Sequence, residues 1–200
     1  MKENLVRLEG TVPIMMHNNQ TVSPLNPYTQ EIKPLTGKRK KTDEDILEIA
    51  RIEWEAGLYI HDGVIVVPGR CLDASFREGA KRTKEGKKWI QGAMVMEDYC
   101  PLDYKGKKNG KFKMNGDIPC PDLDDLFKTN SNMEPVKVGQ QTILRTRPIF
   151  YDWSLECTVA FDEKIFDQRS IANILQETGK YVGLIERRPR YGKFTVEVAE

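Results

Sequence analysis

The sequence predicts an α+β fold, an antiparallel sheet with helices on one of its faces and an insertion protruding from it. Three stretches near its end carry that expectation. Over residues 155–162, Leu155, Cys157, Val159 and Phe161 alternate with Glu156, Thr158 and Ala160, the period of a strand with one buried face. Over residues 168–178, Ile171, Ile174, Leu175 and Thr178 recur at helical spacing, with Asp167 placed to cap the start and Gly179 to stop the end. Residues 193–198 return to alternation, Phe194, Val196 and Val198 against Lys193, Thr195 and Glu197. Strand, helix and strand on one sheet make half of a ferredoxin-like (RRM-like) unit.

The earlier elements follow in order. Val6, Leu8, Gly10, Val12 and Ile14 mark a first strand, with Pro13 near its end where a missing donor is tolerable. Residues 17–37 hold Pro24, Pro27 and Pro34 with little apolar periodicity and read as a long loop. Thr42 caps a helix to about residue 56, with Asp45 at capping-box spacing and Ile46, Ile49, Ala50 and Trp54 on its buried side. Asp62-Gly63 between two apolar runs is a hairpin signal. A helix over 71–83 buries Leu72, Phe76, Gly79 and Ala80, and a strand follows over 91–97. Residues 98–133 lose all periodicity and read as an inserted loop or thumb within a single domain spanning residues 1–200. Residues 136–149 are extended, which puts Arg145 and Arg147 on one face.

Composition narrows the class. The chain is 39% hydrophobic and 30% charged, ordinary for a soluble globular protein, and no apolar run approaches membrane-spanning length. A cytoplasmic protein with no membrane contact is expected. Cys71, Cys100, Cys120 and Cys157 are widely spaced and fit reduced thiols. The formal net charge is only +1, so the distribution of charge carries the information. Cations gather at Lys38, Arg39, Lys40 and Lys41, at Arg77, Lys81, Arg82, Lys84, Lys87 and Lys88, and at Lys105, Lys107, Lys108, Lys111 and Lys113. A further group, Arg187, Arg188 and Arg190, lies in a glycine-bounded turn at residues 183–192.

Catalytic and metal signatures are weak by comparison. His17 and His61 belong to no ligand motif, and His61, in a turn, reads as a solvated side chain. Cys100 and Cys120 lack zinc-site spacing, and Asp122, Asp124 and Asp125 match no defined calcium loop. No phosphate-binding loop, nucleophile elbow or dinucleotide fingerprint occurs. Cofactors, metals and catalytic residues are therefore not expected. Lysines and arginines beside an aromatic such as Trp89 suit single-stranded nucleic acid, although Trp89 itself reads as core.

Four segments together resemble the RAMP superfamily, in particular the backbone subunits that line guide RNA in CRISPR effector complexes. They are the opening strand ending in Met15-Met16-His17-Asn18, the stretch Val67-Pro68-Gly69-Arg70 leading into Cys71-Leu72-Asp73-Ala74-Ser75-Phe76-Arg77, residues 153–175, and the glycine-rich turn and closing strand at 183–198. The resemblance implies a ferredoxin-like sheet with a protruding insertion and head-to-tail copies along nucleic acid. It extends equally to stand-alone phage or mobile-element relatives. Some relatives cut RNA with an aspartate after the first strand, whereas residues 1–42 here contain no Asp.

The expectation is a non-catalytic protein that binds single-stranded RNA or DNA and forms a helical or ring-like homo-oligomer along it. Arg77, Lys81, Lys84 and Lys88 are the candidate phosphate contacts on one helical stripe, if the helix runs that far. Lys38, Arg39, Lys40 and Lys41 are the candidates to guard the groove, with Arg145 and Arg147 on a neighbouring strand and Arg187, Arg188 and Arg190 in the turn. The alternative is an assembly protein docking on a protein partner without nucleic acid. A metal-dependent nuclease using Asp73 or the acidic group at 122–125 is the third reading.

Overall fold

A computed structural model describes residues 1–104 and 121–198. The lysine cluster at Lys105, Lys107, Lys108, Lys111 and Lys113, together with Cys120, lies outside the described residues. The chain is mixed α and β with antiparallel sheets and forms two compact units, the first made of Met1–Met15, Ile60–Phe112 and Phe150–Glu200, the second of Met16–Tyr59 and Lys113–Ile149.

In chain order the elements begin with β1 (Lys2–Gly10), β2 (Ile14–Met15), α1 (Pro27–Thr36) and α2 (Asp43–Gly57). They continue with β3 (Ile60–His61), β4 (Val64–Pro68), α3 (Gly69–Arg82), α4 (Gly86–Gly92), β5 (Ala93–Val95), β6 (Tyr99–Pro101) and β7 (Asp103–Tyr104). The last are α5 (Pro121–Thr129), β8 (Ser131–Val138), β9 (Gln141–Phe150), β10 (Trp153–Phe161), α6 (Gln168–Glu177) and β11 (Phe194–Val198).

The first unit is built on a sheet ordered β11-β1-β10-β5, every neighbour antiparallel, with β7 pairing the start of β10. Alternation along β1 and β10 produces this directly. Val6, Leu8, Leu155, Cys157, Val159 and Phe161 are buried, and the intervening residues face outward. Against the buried face, α3 packs on α4 and on α6. Trp89 of α4 fills the core, edge-on to Phe76 and Phe166, and its indole Nε1 donates to Asp73 Oδ1 at 3.1 Å. The Asp62-Gly63 hairpin forms as its sequence demands, both residues having positive φ, 49° and 71°. Cys100 and Cys157 are buried free thiols, and burial pushes Cys100 up to about 12 and raises Cys157 as well.

The second unit corrects two sequence expectations. The stretch 17–37 is not a loop throughout, since Asn26 accepts from Tyr28 N at 3.0 Å and Pro27 occupies the first helical position, which starts α1. A proline-rich composition concealed a helix because one of the prolines sits where its missing N–H costs nothing. Residues 98–133 likewise hold α5 and the start of β8 in this unit, while β6 and β7 belong to the first. Phe127 of α5 packs edge-on to the buried Trp54 of α2, whose Nε1 donates to Asn130 O at 3.0 Å. β8 and β9 form one hairpin, turning at Gly139.

The start of α2 is a full capping box. Asp45 N donates to Thr42 Oγ1 at 3.2 Å, Thr42 N donates to Asp45 Oδ2 at 3.0 Å, and Lys38 Nζ reaches Asp45 Oδ1 at 2.6 Å. Lys38, then the Thr42 backbone, hold the Asp45 carboxyl below its ordinary range. Because the folded pKa is depressed, this contribution is whole above the ordinary aspartate value of about 3.9 and is lost as pH falls through the lower folded value. Replacing Asp45 by Asn is expected to flatten the fall in melting temperature between about pH 4 and pH 2, read by thermal unfolding across pH. An unchanged acid profile would contradict the assignment.

Candidate nucleic-acid interface

Helix α3 is the element on which the candidate interface is built. Leu72, Ser75, Phe76, Gly79 and Ala80 are buried, while Arg77 and Lys81 are exposed on its outer side. Gly79 allows an unusually close approach, because a Cβ there would lie 1.8 Å from the Thr178 hydroxyl oxygen just beyond α6. One turn earlier, the Ser75 hydroxyl donates a short hydrogen bond to Gly183 O and accepts from Arg188 Nη1 at 3.4 Å. The glycine-rich turn is thereby fastened to α3.

The same turn is tied to the end of the first strand region. Gly192 N donates to Pro13 O at 2.8 Å, Glu186 N to Met15 O at 3.3 Å, and Leu184 N closes the loop on Gly192 O at 2.9 Å. Gly183 and Gly192 have φ of +76° and +72°, and a Cβ on either would strike the opposite side of the loop backbone. These two glycines make the narrow neck that holds Arg187, Arg188 and Arg190 in one loop.

Charges on the two segments meet at Glu78. Lys81 Nζ lies 2.5 Å from Glu78 Oε1, and that hydrogen bond, with further attraction from Arg77 and Arg188, holds the Glu78 carboxyl below its usual range. Cations of both segments thus act on this one carboxylate. Arg190 stands 5.9 Å from the Tyr191 ring centroid. At the end of α3, Arg82 lies 4.3 Å over the Tyr181 ring and 3.4 Å from Glu177, with Lys180 Nζ 5.0 Å from the same ring. Arg82 belongs to the second basic cluster but was not among the candidate contacts, and Lys180, Tyr181 and Tyr191 were not singled out by sequence reasoning. The adjacent pairs Lys180-Tyr181 and Arg190-Tyr191, one residue past Gly179 and two before Lys193, were the available signal.

The other candidates are held differently. α3 ends at Arg82, and Lys84 follows in a left-handed turn with φ of +64°, so the condition for a stripe through Lys84 is not met. The chain turns there because α4 must start at Gly86, whose Cβ would press on Lys81. Lys88 belongs to α4 and lies 3.5 Å from Glu85.

Lys38, Arg39, Lys40, Lys41, Arg145 and Arg147 belong to the second unit. Lys38 is engaged by Asp45, as described, and Arg145 by Glu53, whose other oxygen accepts from Thr146 N at 2.9 Å. Lys41, Arg145 and Arg147 line one cavity of about 820 Å³, with Ile46 and Ile143 among its apolar walls.

The outward sheet face of the first unit offers nothing comparable. Arg7 sits between Glu156 and Glu197 on the flanking strands, bonds Glu9 and Glu156 at 3.1 Å each, and is raised above its ordinary pKa first by the Glu9 bond and then by Glu156. Glu9, Glu156 and Glu197 against one arginine leave that face acidic. Its other outward positions, including Leu5, Ser154, Thr158, Met94 and Thr195, carry no aromatic ring. His61 is partly exposed and stacks on Tyr99 with centroids 3.9 Å apart. Among the described residues no three His, Cys, Asp or Glu side chains gather as a metal site, and no helix among them is long and apolar enough to cross a membrane.

Comparison with known family models and with curated proteins gives no match. Among solved structures, the chain is similar to one in the "Cryo-EM structure of the Type III-B Cmr-beta bound to cognate target RNA", with a TM-score of 0.49 and 9% sequence identity. The similarity covers all of this chain and 61% of that one.

Proposed function

We propose that this protein binds single-stranded nucleic acid without cutting it, through the basic surface shared by α3 and the loop at 183–192. The observation that carries the reading is the hydrogen bond that ties Arg188 of the loop to Ser75 of α3, the helix that exposes Arg77 and Lys81. Guanidinium and ammonium groups held on rigid elements neutralise phosphates at little ordering cost. The acidic outward face of the sheet favours a polyanion on the helical side instead.

The finer family reading belongs to the same proposal. Strand order β11-β1-β10-β5, with α3 and α4 between β1 and β5 and α6 between β10 and β11, is what a ferredoxin-like domain of the RAMP type would have. Copies of the chain would then line up along one strand, in the cytoplasm. Lys84 and Lys88 would add contacts along the path, and Lys38, Arg39, Lys40, Lys41, Arg145 and Arg147 are proposed as nucleic-acid contacts of the second unit.

The test is binding of a fluorescently labelled single strand at increasing salt. Affinity is expected to fall steeply, each neutralised phosphate adding about 0.7 to the slope of log affinity against log salt. Absence of binding at low salt, or an affinity indifferent to salt, would contradict it. The competing reading, docking on a protein partner without nucleic acid, draws on the largely apolar cavity of the second unit. Protein purified free of nucleic acid that stays unable to bind any strand would favour it.

A further inference from the structure

We infer that Tyr181 is a base-stacking platform at the end of the basic surface, so that the site reads an unstacked base and not phosphates alone. The inference rests on the single-strand reading and adds to it the part of the ligand that α3 and its loop leave unrecognised.

α6 does not stop at Glu177 but runs on into a π-helical turn, Thr178–Val182, a rare form found mostly as single turns and frequently at functional sites. The turn is fixed from below on two sides. Thr178 is fully buried against Gly79 of α3, and Gly179 sits where a Cβ would lie 2.2 Å from Phe194 O on β11. Tyr181 is left 42% exposed, so part of its ring is open to a ligand.

What it already meets is cationic. The Arg82 guanidinium covers one ring face at 4.3 Å and is itself fixed by Glu177 at 3.4 Å. A guanidinium so placed holds the ring in a single orientation and extends the planar stack. Lys180, 5.0 Å from the centroid, is an exposed ammonium on a flexible stem and can pass to a phosphate when a base takes its place at the ring.

Position along α3 links this stack to the phosphate contacts. Arg77, Glu78, Lys81 and Arg82 fall within six residues of one helix, a rise of only about 6 Å to 8 Å. Neighbouring nucleotides of a single strand span a similar distance, so the Glu78 cluster and the Tyr181 ring can engage adjacent phosphate and base. A duplex presents no free base face to such a ring, and its bases stay paired.

The experiment compares an oligothymidylate with a strand of equal length whose sites are abasic, for the wild-type protein and for Tyr181→Ala and Tyr181→Phe. Alanine is expected to weaken binding of the intact strand roughly 5- to 100-fold and to leave the abasic strand within about twofold, while phenylalanine keeps near wild-type affinity for both. Equal losses on both strands, or no loss on either, would overturn the stacking role while the single-strand reading stands. Failure of the wild-type protein to bind either strand would overturn both.

Discussion

Replacing Arg77 and Arg188 together by glutamate is expected to weaken single-strand binding on the order of 100-fold at moderate salt, since each change deletes a phosphate contact and puts a repulsive charge in its place. The salt slope is expected to drop by about 1.4, the share of two single-strand phosphates. The two side chains come from segments more than a hundred residues apart, and both act on Glu78. The control applies the same change in net charge through Lys2→Glu and Lys164→Glu. Lys2 is exposed and lies at the opposite end of β1 from the loop's anchor points at Pro13 and Met15, and Lys164 is exposed too. That pair is expected to change affinity no more than about threefold. Equal losses in the two double variants would mean that only net charge matters and that no site has been built.

Substituting Gly79 by leucine is expected to cost about 3 kcal/mol of stability, near the upper part of the overpacking range, and to lower the melting temperature by roughly 6–12 °C. Helix propensity alone points the other way, because leucine is favoured over glycine inside a helix by under about 1 kcal/mol. The contact decides the sign. A Cβ at this position lies 1.8 Å from Thr178 Oγ1 and 3.0 Å from Ile174 O, and Thr178 cannot yield easily because it is fully buried and its hydroxyl donates to Ile174 O at 2.7 Å. Displacing α3 from Thr178 also moves Arg82 from Tyr181, so affinity should fall together with stability. A Gly79→Leu protein as stable as the wild type, measured by thermal unfolding, would contradict the packing described for α3 and α6.

The two effects explain why parts of this molecule were legible in sequence and others were not. The strands at 155–162 and 193–198 and the helix between them have strict periodicity because one face of each meets the core, and they appear within two residues of their expected bounds. The helix α2 was readable from Thr42 and Asp45 because a capping box is a local device. α1 was not, since it buries no residue and so has no apolar stripe to read, and its start depends on an asparagine and a proline that also make turns.

The candidate interface divides in the same way. Arg77 and Lys81 could be paired from helical spacing alone. Their relation to Arg188 could not, because it runs through Ser75 and Gly183, 108 positions apart. The place of Lys84 beyond the helix was not legible, because the end of α3 depends on a glycine packing on Lys81, which no periodicity records. Tyr181 was invisible for a related reason. Its exposure follows from a π-helical turn that Gly79 and Gly179 make possible by close approach to distant segments.

The central claim is that the shared surface of α3 and the loop at 183–192 is where a single strand lies. The most direct measurement is ultraviolet cross-linking of the protein to a photoreactive single-stranded oligonucleotide, with the attached peptides located by mass spectrometry. Attachment is expected within residues 77–82 and 180–191. Attachment confined to the outward face of the sheet, at β1 and β10, or to the second unit alone, would contradict it.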